Sequence, residues 1–168
     1  MQRLVTFISL SLVTLLLVSS PAHAAHISEE KAGLISMNCG SIQLQLKSLQ
    51  KADSKSRVFL GSKFEFILTH LMTNLNLRLV KNNLASPSLA ASQATLSSER
   101  DFFKSAFTDY SKSLDALVAT DCRSNPYLFH DRLEITRTKR EVVRQSYLRL
   151  TDVLAHHRVL VIELSEDL

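Results

Sequence analysis

Apolar residues recur along most of this chain at alternating steps of four and three, the spacing of a single stripe on an α-helix. The stripe begins at Ile35 and passes through Cys39, Ile42, Leu46 and Leu49. In the same frame it meets Asp53, Ser56 and Leu60, then Phe64, Ile67 and Leu71 after a small phase adjustment. It therefore crosses the polar run from Ala52 to Arg57 and resumes almost in register. No proline lies between Pro21 and Pro87, and Gly61 weakens a helix by only about 1 kcal/mol relative to alanine. Ser28, followed by Glu29 and Glu30, forms a helix start with a hydroxyl cap and acids in the first turn. Together these signals predict one long helix over residues 28–81. A hairpin near 52–56 is the competing reading.

Asn82-Asn83 and Ala85-Ser86-Pro87 end that helix. A second is predicted over residues 88–120, with Leu96, Arg100, Phe103, Phe107, Tyr110, Leu114 and Leu117 on its stripe. The next break is Cys122-Arg123-Ser124-Asn125-Pro126, where Pro126 suits a first helical turn and Ser124 or Asn125 its cap. The third helix carries Leu133, Val143, Tyr147, Leu150, Leu154 and Val161 on one side, with Arg140 and His157 on or near that stripe. There is no Gly/Ser-rich tether and no repeat of fixed period. The expected fold is all-α, an antiparallel bundle of three long helices with coiled-coil-like seams. A four-helix up-down bundle is the alternative.

The N-terminal residues stand apart from this pattern. Met1-Gln2-Arg3 is a short positive stretch, Leu4 to Val18 is apolar apart from small hydroxyl residues, and Pro21 stops the run. Ala22-His23-Ala24 then places small residues at both positions read by a signal peptidase. Residues 1–24 are thus expected to be a signal peptide, and residues 25–168 a single helical-bundle domain. The apolar run is shorter than the roughly 20 residues a membrane span needs. The mature protein is expected to be secreted or periplasmic, with no transmembrane segment after cleavage.

Export gives the cysteines a meaning. Cys39 and Cys122 are the only two, and in an oxidising compartment an isolated pair is most simply one disulfide. Closing a loop of roughly 80 residues is worth about 4–5 kcal/mol by loop entropy. The pair also discriminates between topologies. In a four-helix bundle the loop carrying Cys122 would sit beside residues near 52, leaving Cys39 about 20 Å away. A disulfide spans at most about 7 Å between Cα atoms. In a three-helix bundle folded near residue 83, Cys122 falls within about one turn of Cys39.

Composition removes most chemistry. The 168 residues include 3 Gly, 3 Pro and no Trp, too few turn-formers for a many-turned β protein and too scattered for a Gly-rich phosphate loop. The net charge of +4 does not call for a nucleic-acid partner, and none is expected. The histidines match no metal-binding spacing, and His156-His157 read as solvated surface. Met37 and His157 are the one pair with haem-ligand chemistry, and the three-helix topology puts them at opposite ends. No cofactor, metal site or catalytic residue is assigned. Asp53, the one acid on the stripe, is expected to pair with Arg57 one turn on. Arg132, Arg137, Lys139, Arg140, Arg144 and Arg149 make a basic stretch, read as a solvated face or as a contact for an anionic surface.

Two stretches carry more apolar residues than one stripe can bury. Leu75, Leu77 and Leu79 lie in the first, near the end of the first helix, with Leu71, Met72 and Val80 around them. Val159, Leu160 and Ile162 lie in the second, near the end of the third, with Val161 between them. In the three-helix topology both meet at the end opposite the cysteines, as a wider core or an interaction surface. The functional expectation is an exported, non-enzymatic helical module that binds another protein, the cell-envelope surface or a second copy of itself. A periplasmic chaperone or small-ligand carrier on a helical bundle is the alternative.

Overall fold

The computed structural model describes residues 27–166. Of these, 89% are helical and none forms a strand. The elements in order are α1 (Glu29–Met37), α2 (Cys39–Phe66), a π-helical segment (Ile67–Met72), α3 (Thr73–Lys81), α4 (Pro87–Val118) and α5 (Pro126–Glu166). Asn38 alone separates α1 from α2, and the bonds Asn38 N–H to Leu34 O and Ile42 N–H to Asn38 O carry the helical path across it. Residues 52–56 lie inside α2, so no hairpin interrupts it.

The ends are where the local chemistry puts them. Ser28 caps α1 by accepting from the Lys31 N–H, and Ser86 caps α4 by accepting from the Leu89 N–H, each at 3.4 Å. Pro87 occupies the first turn of α4, where its missing N–H costs nothing. Asn83 stops α3 with φ 57°, and the Leu84 N–H reaches back to Leu79 O at 2.9 Å. This is the Schellman closure, with asparagine in the left-handed position that glycine usually takes.

Packing is unequal. α4 and α5 lie together along most of their length, α2, the π segment and α3 all rest on α4, and α1 meets α5. One core unites Cys39, Leu46, Phe64, Leu68 and Met72 with Leu96, Phe103, Phe107, Tyr110, Leu114 and Leu117 of α4 and Phe129, Val143 and Leu150 of α5. Edge-on ring pairs run through it from Phe64 to Phe103, Phe107 and Tyr110. The apolar stripe of α4 is buried as its periodicity predicts. Arg100, also on that stripe, is instead half-buried.

The first stripe departs from expectation at two places. Leu71 is exposed, and Leu68 and Met72 are buried in its stead. A π turn is wider than an α turn, so Phe64, Leu68 and Met72 keep one side at successive steps of four. The wide turn is tied to α4 by side chains. Thr73 Oγ1 donates to Leu68 O, Gln93 Nε2 donates to Thr73 Oγ1, both at 2.8 Å, and Asn76 Nδ2 donates to Gln93 Oε1 at 2.5 Å. The second departure is Ser56, which faces solvent. Between Leu46 and Phe64, α2 buries no side chain completely; Leu49, Asp53 and Leu60 are half-buried, and Leu60 packs against the core.

No helix among the described residues is long and apolar enough to cross a membrane. Residues 1–24, expected to be a signal peptide, lie outside the described residues.

Candidate functional site

Cys39 and Cys122 form a disulfide with Cα atoms 5.4 Å apart, joining the start of α2 to the α4–α5 connection. Polar contacts reinforce the same end. Gln43 Nε2 donates to Thr120 O, and Ser36 Oγ donates to Arg123 O, each at 2.9 Å. The Asp121 carboxylate accepts from Ser124 Oγ at 2.6 Å and from the Arg123 N–H at 2.9 Å, which holds its pKa below the usual value. This end is closed by covalent and polar bonds.

The opposite end holds the apolar residues singled out from the sequence, and they divide into two groups. Leu79 is buried, together with Leu89 of α4. Leu75 and Leu160 are half-buried. Leu77, Val159 and Ile162 are exposed, at 60%, 49% and 46% of their surface. Val80 and Leu84 are exposed beside them in sequence. Thus α3 uses Leu79 to close the core, half-buries Leu75 and presents Leu77 and Val80. No Cα of α3 lies within 8 Å of one in α5, so these two stretches do not close against each other through backbone-level packing. Each approaches α4.

Two polar constellations lie on the seams. In the first, Tyr110 donates its hydroxyl to Asp53 Oδ2 at 2.5 Å, while Arg140 Nη2 stands 3.6 Å from Asp53 Oδ1. One residue from each of the three seams meets here. Arg57, the partner expected for Asp53, makes no ion pair with it; Asp53 turns inward instead, because α4 offers it a buried hydroxyl. Burial, and then the bond to Asp53, push the Tyr110 pKa up, so the phenol stays protonated. In the second, His157 is buried, correcting its assignment to the surface, and His156 alone of the pair is exposed. His157 Nδ1 lies 3.2 Å from Ser92 Oγ. Burial, and then the charge of His156, lower its pKa. Met37 is exposed near the disulfide while His157 packs on Ser92, so the two do not come together. Among the described residues no group of three or more His, Cys, Asp or Glu side chains is placed to hold a metal ion.

The basic stretch of α5 is largely engaged within the molecule. Arg132 donates to Ala116 O and Thr120 Oγ1, covering carbonyls at the end of α4. Arg137 pairs with Glu134, Arg140 with Asp53, and Arg144 with Glu141. The bonds from Arg144 and Gln145 draw the Glu141 pKa down to about 2. Arg149 pairs with Glu99 at 2.8 Å and stacks over the Phe102 ring. Comparison with protein-family models, with curated proteins and with solved structures finds no match.

Proposed function

We propose that this protein is an exported, non-enzymatic helical module that captures another protein on its apolar end, its rods forming an antiparallel bundle of three. The observation that carries this reading is the division within α3 and the end of α5. Leu79 and Leu89 already seal the core, yet Leu77, Val80, Val159 and Ile162 remain exposed. Isolated exposed apolar side chains are ordinary, but a run of them at one end of a domain marks a contact surface. The engagement of the α5 arginines by Glu99, Glu134, Glu141 and Asp53 favours a protein partner over an anionic envelope surface.

Two measurements test the reading. N-terminal sequencing of the exported product is expected to start at Ala25; a product that still starts at Met1 contradicts export by cleavage. A photo-crosslinking side chain placed at Leu77 or Ile162 in cells is expected to trap a discrete protein. The same group at Ser62, on α2, is expected to trap none. Equal trapping from all three positions, or none from any, contradicts the assignment of the surface.

A further inference from the structure

Of the chain's net charge of +4, α2 alone carries +3. Lys47, Lys51, Lys55, Arg57 and Lys63 stand there against Asp53 and Glu65. Both acids are engaged inside the molecule, Asp53 with Tyr110 and Arg140, and Glu65 with Arg100. The four lysines are exposed and make no ion pair among the described residues. The arginines of α5 differ, since Arg137, Arg140, Arg144 and Arg149 each have an acidic partner.

Helical periodicity gathers most of this free charge on one side. At about 100° per residue, Lys51, Lys55, Phe59, Lys63 and Phe66 fall within roughly a third of the helix circumference, and neither acid of α2 does. This sector faces away from the side that carries Leu46 and Phe64 into the core. Phe59 and Phe66 lie near its middle and are exposed over 67% and 55% of their surface. Lys51 stands on one flank and Lys63 on the other. The positions between them are Ser48, Ala52 and Ser62, all small and exposed. The face is a convex ridge about 22 Å long from Lys51 to Phe66, apolar along its crest and cationic on its flanks. Charge complementarity selects what covers it. A second copy would set lysine against lysine. A soluble polyanion would neutralise the lysines and leave both rings in water. An anionic bilayer satisfies both, because the rings enter the boundary between headgroups and acyl chains while lysine stems reach back to the phosphates.

We propose that the outward face of α2 docks on an anionic phospholipid surface, with Phe59 and Phe66 in the headgroup boundary and Lys51, Lys55 and Lys63 on lipid phosphates. The proposal does not depend on the apolar end. The test is co-sedimentation of the purified, disulfide-intact exported protein with vesicles of equal parts phosphatidylglycerol and phosphatidylcholine, beside vesicles of phosphatidylcholine alone. Binding to the anionic vesicles is expected to saturate with lipid and to fall in high salt, and to be at least about tenfold tighter than to the neutral ones. Lys51→Gln with Lys55→Gln is expected to weaken it by about tenfold or more. Phe59→Ser with Phe66→Ser is expected to weaken it by a similar factor, which separates a bilayer from a soluble polyanion. All four side chains are exposed, so the melting transition stays in place in both variants. Arg137→Gln with Arg144→Gln removes as much charge from α5 and is expected to leave binding nearly unchanged. Absence of binding to anionic vesicles, equal binding to both vesicle types, or unchanged binding in the lysine or the phenylalanine variant overturns the proposal. A loss in the α5 variant as large as that in the lysine variant overturns it too.

Discussion

The Tyr110 hydroxyl donates to Asp53 Oδ2 at 2.5 Å across the α2–α4 interface, between the buried apolar residues Phe107 and Leu114 of the α4 stripe. Arg140 reaches the other carboxylate oxygen from α5. Hydrogen bonds to a charged group are worth about 1.5–3 kcal/mol, and a half-made polar layer costs more than an apolar one. Tyr110→Phe alone and Asp53→Leu alone are each expected to destabilise by about 1–3 kcal/mol. The double variant is expected to be nearly neutral, because Arg140 is exposed enough to return to water. Denaturant melts of the four proteins check this. Additive losses in the double variant would show that the two side chains do not act as a unit.

The disulfide predicts a loss confined to stability. Cys39→Ala with Cys122→Ala releases the start of α2 from the α4–α5 connection and removes a long-loop closure. A loss of about 2–5 kcal/mol is expected, with little change in helical circular dichroism at low temperature. A variant as stable as the parent would mean that the polar contacts of Gln43 and Ser36 suffice to hold this end.

His157 predicts a pH dependence with a definite sign. Its folded pKa is lowered by burial, so the unfolded chain binds the proton more readily. The stability it protects is complete above the unfolded value of about 6.5 and is lost as pH falls through the lower, folded value. The melting midpoint is expected to drop as pH falls below about 6.5, and His157→Gln is expected to flatten that drop while keeping a partner for Ser92. Asp121 and Glu141, whose pKa values are also lowered, contribute in the same direction but only at more acidic pH. An unchanged slope in His157→Gln would remove His157 as its source.

The stripe of α4 was legible because each step of it obeys one period and each residue has one role. The break between α3 and α4 was legible for a similar reason: Asn83, Ser86 and Pro87 act on their own backbone. Leu71 was misplaced because a π turn changes the period itself, and its anchors are Gln93 and Thr73 on two different helices. Asp53 could be seen on the stripe but not its partners, since one helix's periodicity carries no information about which residues of α4 and α5 face it. His157 was visible near the α5 stripe, yet adjacency to His156 suggested a solvated pair. The helix turns about 100° per residue and sends only one of them inward. The end surface was legible as an excess of apolar residues, but only packing tells Leu79 from Leu77.

The central claim is that the exposed leucine and isoleucine at that end form a contact surface and do not belong to the core. Leu77→Asp together with Ile162→Asp tests it most directly, with partner capture or self-association measured beside the thermal melt of the same protein. The account predicts that association is lost while helicity and melting midpoint stay nearly those of the parent, because both side chains already face solvent. A double variant that unfolds, or one that still associates as the parent does, would contradict it.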